Sequence, residues 1–152
     1  MNQTVSLLKE IWSGARQGLE SLRATLDITD DTNFRNELYN QETQYQNIVR
    51  DAENQLAAQN DRPDGVNAMT RVCTWTGIRM DTFANKSTPH LIGMIIQGNT
   101  MGIIEITKVR ADYPEADQNA HSLAAALITL QQDNIDRCLP LLQQAEALTA
   151  AR

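Results

Sequence analysis

Apolar residues recur along the N-terminal segment at alternating intervals of three and four positions. The recurring residues are Val5, Leu8, Trp12, Ala15, Leu19, Leu22 and Leu26. This spacing is an a/d seam held over three heptads, and it predicts a helix packed nearly parallel or antiparallel to its neighbours. The polar run from Asp27 to Thr32 ends the pattern and supplies side chains that can cap a second helix.

The same spacing returns in a second segment, which is predicted to be a helix ending near Gln59. Its seam contains Phe34, Leu38, Gln41, Tyr45, Ile48 and Ala52. The polar, Pro- and Gly-containing run from Asn60 to Gly65 predicts a loop after it.

The third element is predicted to be split near Asn85–Pro89. A short helix whose inner stripe includes Met69, Met80 and Phe83 stops there. Thr88 is then expected to cap a new helix with Pro89 at its first position, where a missing N–H costs nothing. The inner face of that new helix contains Ile92, Ile95 or Ile96, Asn99, Gly102 or Ile103, and Ile106.

The final helix is predicted from near Asp117 or Asn119 to the C-terminus, with Pro140 bending it or leaving a carbonyl unbonded. Its seam contains Leu123, Leu127, Leu130, Asn134, Leu141, Ala145 and Leu148. Residues 1–152 are therefore expected to form one all-α domain. Short connections between successive helices favour an up-down-up-down four-helix bundle.

Charge and composition limit the classes of partner. The net charge is −6 and the thirteen basic residues are scattered, which argues against nucleic-acid binding. The longest nearly apolar run, Leu91 to Ile96, is far shorter than the ~20 residues that span a bilayer. No basic and then apolar N-terminal signal is present, and Cys73 and Cys138 are isolated thiols, so a cytoplasmic location is expected.

Helical bundles often hold two metal ions through inward-facing Glu and Glu-x-x-His residues. Neither histidine fits, because Ser87 stands three residues before His90 and Gln118 stands three before His121. The sequence therefore argues against a di-iron site or another cofactor. The remaining candidates for an unconventional metal or redox site are Glu37, Glu42, Glu105, His90 and His121. Glu37 and Glu42 are five residues apart and diverge by about 140° around a helix.

Two further groups of residues occupy inner positions. Gln41, Asn99 and Asn134 lie in seams of different helices, and we expect a buried polar layer that fixes helix register or lines a ligand site. Gly98 and Gly102 are four residues apart and open one helix face. They predict close packing against a large side chain such as Trp12 or Trp75, or contact with a second protomer.

Three stretches together resemble a family: RNELYNQETQYQNI, TWTGIRMDTFANKS and HLIGMIIQGNTMGIIEIT. They are similar to small bacterial proteins of unknown function with a ferritin-like fold. The resemblance covers almost the whole chain and implies a ferritin-like bundle. Members of that group typically carry a Glu on each side of the glycine in the stretch matching IIQGNT, where this chain has Ile96 and Asn99. That departure argues against metal binding.

No catalytic motif occurs, which favours a non-enzymatic role. The expected function is binding or scaffolding by a ferritin-like bundle without a di-iron site, as a homodimer or with another protein partner. One alternative is the unconventional metal or redox bundle. The other is a helix-binding adaptor in which the split third element opens for its partner.

Overall fold

The computed structural model describes residues 2–64 and 86–151, which contain four helices and no strand. The helices are α1 (Gln3–Leu26), α2 (Thr32–Ala58), α3 (Thr88–Asp112) and α4 (Gln118–Ala150). Their bounds agree with the seam pattern to within one or two residues. The predicted short helix with Met69, Met80 and Phe83 lies outside the described residues.

Polar side chains fix where three of the helices begin. The side chains of Asn2, Asp31 and Asp117 each accept a hydrogen bond from the backbone N–H three residues later, which satisfies a donor that the helix leaves unpaired. In α3 the N-cap is Ser87, one residue before the predicted Thr88, and its side chain makes no capping bond. Pro89 lies in the first turn, where its fixed φ suits the helix.

Helices α1 and α2 are antiparallel neighbours. The indole Nε1 of Trp12 donates to Glu53 Oε1 at 2.9 Å near one end of the pair. Nearer the other end, Arg23 Nε donates to Glu42 Oε2 at 3.2 Å. Residue numbers therefore rise along α1 as they fall along α2.

Helices α1 and α4 run parallel across the core. The backbone N–H of Asp117 donates to Thr4 Oγ1 at 2.8 Å where both helices begin. Ten residues further along each helix, a Cβ on Gly14 would lie 3.8 Å from the Leu127 side chain. The equal increments in residue number show that the two helices run in the same direction.

Helix α3 is antiparallel to α4, because Asn99 bonds to Asn134 and Gly102 lies against Gln131. Each of α1 and α4 packs on both α2 and α3. Helices α2 and α3 therefore run in the same direction at opposite corners of the bundle.

The order of directions along the chain is thus up, down, down, up, and the predicted up-down-up-down order is wrong. That prediction assumed short connections between all successive helices. Instead, the connection from Gln59 to Ser87 joins opposite ends of the bundle, a separation of about 40 Å for a helix as long as α2.

The apolar seams meet in a single core. Its fully buried large side chains include Leu7, Leu8, Ile11, Phe34, Leu38 and Leu127. Leu148 was predicted to be in the last seam but is 66% exposed. Helix α4 has 33 residues against 24 in α1, so its final turns extend beyond the neighbouring helices. The helix continues through Pro140.

Candidate functional site

A cavity of about 490 Å³ lies between α1 and α3, with α2 and α4 contributing to its base. Four glycines line it, Gly14 and Gly18 on α1 and Gly98 and Gly102 on α3. Each pair is spaced four residues apart, so each opens one helix face. Leu22, Met94, Ile95, Ile106 and Val109 supply most of the apolar wall.

Two of these glycines leave space for side chains that enter from the other helices. A Cβ on Gly18 would lie 2.6 Å from the ring of Tyr45, which is far inside van der Waals contact. A Cβ on Gly102 would collide with the side-chain amide of Gln131. The predicted close packing at Gly102 is therefore against Gln131 and not against Trp12; Trp75 lies outside the described residues. A Cβ on Gly14 would be in ordinary van der Waals contact, 3.5 Å from the Ile106 side chain.

A buried hydrogen-bond network forms the polar part of the base. The hydroxyl of Tyr45 donates to Asn99 Oδ1 at 2.8 Å, and Asn134 Nδ2 donates to the same oxygen at 3.1 Å. Asn99 Nδ2 donates to the Ile95 carbonyl at 2.8 Å, one turn earlier in α3. Three helices are thus joined at one amide, which satisfies groups that would be costly to bury alone.

The network continues from Asn134 to a charged pair nearer the surface. Arg137 donates to Asn134 Oδ1 and, through Nε, to Glu37 Oε1, both at 2.8 Å. Gln41 Nε2 donates to the same Glu37 oxygen at 2.9 Å and to Cys138 Sγ at 3.4 Å. Gln41 and Asn134 are both fully buried, and Asn99 nearly so. Gln41 therefore joins the other two amides through Glu37 and Arg137.

Two buried side-chain amide oxygens in and beside this network have no hydrogen-bond partner. They are Oε1 of Gln41 and Oε1 of Gln131. Gln131 lines the cavity and is only 2% exposed. An unpaired buried acceptor is destabilising by roughly 1–3 kcal/mol. Both oxygens are enclosed by protein atoms and neither presents surface to the cavity.

Burial controls the two titratable groups of the network that have displaced pKa values. It raises the pKa of the Tyr45 hydroxyl above its ordinary range. Burial also raises the pKa of the Cys138 thiol to about 11, and the hydrogen bond from Gln41 opposes this shift. Both groups are protonated at neutral pH, so Cys138 lacks the thiolate that nucleophilic chemistry requires.

The structure does not bring the candidate metal ligands together. Glu37 pairs with Arg137, and Glu42 pairs with Arg23. Glu105 lines the cavity.

The two histidines occupy other places. His90 lies in the first turn of α3 with Nε2 buried and unpaired, and His121 Nε2 lies 3.1 Å from the Tyr113 carbonyl oxygen. Among residues 2–64 and 86–151, no three histidine, cysteine, aspartate or glutamate side chains form a group that could hold a metal ion.

Gln131 and the cavity itself were not anticipated from the sequence. Gln131 lies four residues after Leu127 and three before Asn134, so the helical spacing places it on the buried face, but the apolar pattern passes through Leu130 and leaves a glutamine unmarked. The usable signal was the spacing of Gly14 and Gly18, which matches that of Gly98 and Gly102 on the facing helix.

Comparisons with known proteins give no relative from which a role could be transferred. No family model matches the chain, and neither a curated protein nor a solved structure matches it significantly. None of the four described helices is long and apolar enough to cross a membrane. A functional assignment therefore depends on the site geometry.

Proposed function

We propose that this protein is a small-molecule-binding helical bundle of ferritin-like architecture without a di-iron centre. The observation that carries the proposal is the cavity between α1 and α3, whose volume of about 490 Å³ lies within the range of ligand pockets. Its walls are mainly apolar, and a few polar groups converge on its base, which is the usual composition of such sites.

The way in which the helices pack forms the cavity and fixes its shape. Glycine in a helix interior is destabilising by about 1 kcal/mol relative to alanine, and this cavity has four. Gly18 and Gly102 admit the side chains of Tyr45 and Gln131 to its base. The hydrogen bonds from Tyr45 and Asn134 to Asn99 then hold that base in one arrangement, which favours binding because little ordering is needed.

The ferritin-like part of the proposal is supported by topology. One long connection between two helices that run in the same direction distinguishes ferritin-like folds from simple up-and-down bundles. Here the connection from Gln59 to Ser87 has that role. The mid-bundle layer holds Gln41, Asn99 and Asn134, whose amides are poor substitutes for the carboxylates and imidazoles of di-iron sites.

The other hypotheses gain less support. The metal alternative requires Glu37 and Glu42, which are engaged by arginines, and Glu105, which lies on the cavity. The adaptor hypothesis requires the predicted short helix before the break near Asn85–Pro89 to open, and that helix lies outside the described residues. The homodimer and the cytoplasmic location stay predictions.

Binding of N-phenyl-1-naphthylamine, a neutral apolar fluorophore, tests the proposal. Its emission should rise and saturate at one molecule per chain. Gly14→Leu adds a side chain to the cavity wall at a position where a Cβ would be in ordinary contact with Ile106 and Leu127, and it should weaken binding at least tenfold.

Gly93→Leu is the matched control, because a Cβ there meets nothing within 4 Å and Gly93 does not line the cavity. It should bind the fluorophore as the parent chain does. The proposal fails if the parent chain shows no saturable binding, or if Gly14→Leu and Gly93→Leu bind equally well while both remain folded.

A further inference from the structure

We draw no further inference here: the strongest candidate, the side-chain cluster of Glu10 and Glu105 at one end of the cavity between α1 and α3, belongs to the site already described, and no second feature of the described residues points to a ligand that these carboxylates would bind.

Discussion

The hydroxyl of Tyr45 donates to Asn99 Oδ1 at 2.8 Å and joins α2 to α3, helices at opposite corners of the bundle. Both residues also line the cavity between α1 and α3. One hydrogen bond therefore contributes to the stability of the bundle and to the shape of the candidate site.

Removing this hydroxyl should have a moderate effect. Tyr45→Phe keeps the ring that fills the space opened by Gly18, and Asn99 Oδ1 keeps the bond from Asn134. The loss should therefore approach that of one net hydrogen bond, about 1 kcal/mol in the free energy of unfolding measured with urea. Tyr39→Phe is the control, because Tyr39 is 48% exposed, and it should change stability by less than about 0.5 kcal/mol. Equal effects of the two variants would contradict the structural role of Tyr45.

Replacing single glycines with alanine should separate required glycines from replaceable ones. Gly18→Ala should destabilise the protein by about 1–3 kcal/mol, because the new Cβ meets the rigid ring of Tyr45. Gly102→Ala should be less damaging, since the atoms it meets are at the end of the flexible Gln131 side chain.

Gly93→Ala provides the opposite expectation in the same series. A Cβ at this position would have no neighbouring atom within 4 Å, and alanine is the better helix former by about 1 kcal/mol. The variant should therefore raise the urea midpoint. A ranking in which Gly93→Ala is as destabilising as Gly18→Ala would show that backbone effects, and not contact with Tyr45, decide these positions.

The helices and much of the core could be predicted because burial repeats locally. Leu8, Leu19, Leu38 and Ile106 are all buried, as the three- and four-residue spacing indicates. Such spacing identifies the face of a helix that is buried. It does not identify the neighbouring helix that the face contacts.

The order of helix directions could not be read from that spacing, because it depends on where the connection from Gln59 to Ser87 leads. The same limit applies to Gln131. Its burial depends on the absence of a side chain at Gly102, a residue on another helix. Tyr45 fits the seam of α2, but its bond to Asn99 depends on two helices at opposite corners.

Glu37 should contribute to stability through its hydrogen bonds. Its side chain is 13% exposed and accepts from Arg137 and Gln41. Glu37→Gln removes the charge beside Arg137 and should lower the free energy of unfolding by about 1–3 kcal/mol. Glu42→Gln is the matched control, with a longer ion pair to Arg23 at 3.2 Å, and should cost at most about 1 kcal/mol.

The same pair of variants tests the unconventional metal site. With Glu37 engaged by Arg137, neither substitution should alter the uptake of iron, manganese or zinc measured by elemental analysis. Loss of bound metal in Glu37→Gln without a change in stability would favour the metal alternative over the binding proposal.

Stability should fall in alkaline solution because of the buried thiol. The pKa of Cys138 is raised by burial from about 9 to about 11, so between these values the folded chain keeps a proton that the unfolded chain releases. Stability from this group is complete below pH 9 and decreases as the pH rises. Between pH 8 and pH 10 the loss should be about 1 kcal/mol, measured by urea unfolding in a Cys73→Ser background.

Cys138→Ala in that background identifies the source of the loss. Burial raises the pKa of Tyr45 in the same direction, so the variant should lose less stability than its parent over this interval but should not become independent of pH. The two chains differ in one titrating group, and lysines and other ionisable groups contribute equally to both. Identical losses in the two chains would mean that the Cys138 thiol titrates at similar pH in the folded and unfolded states, contrary to its complete burial beside Gln41.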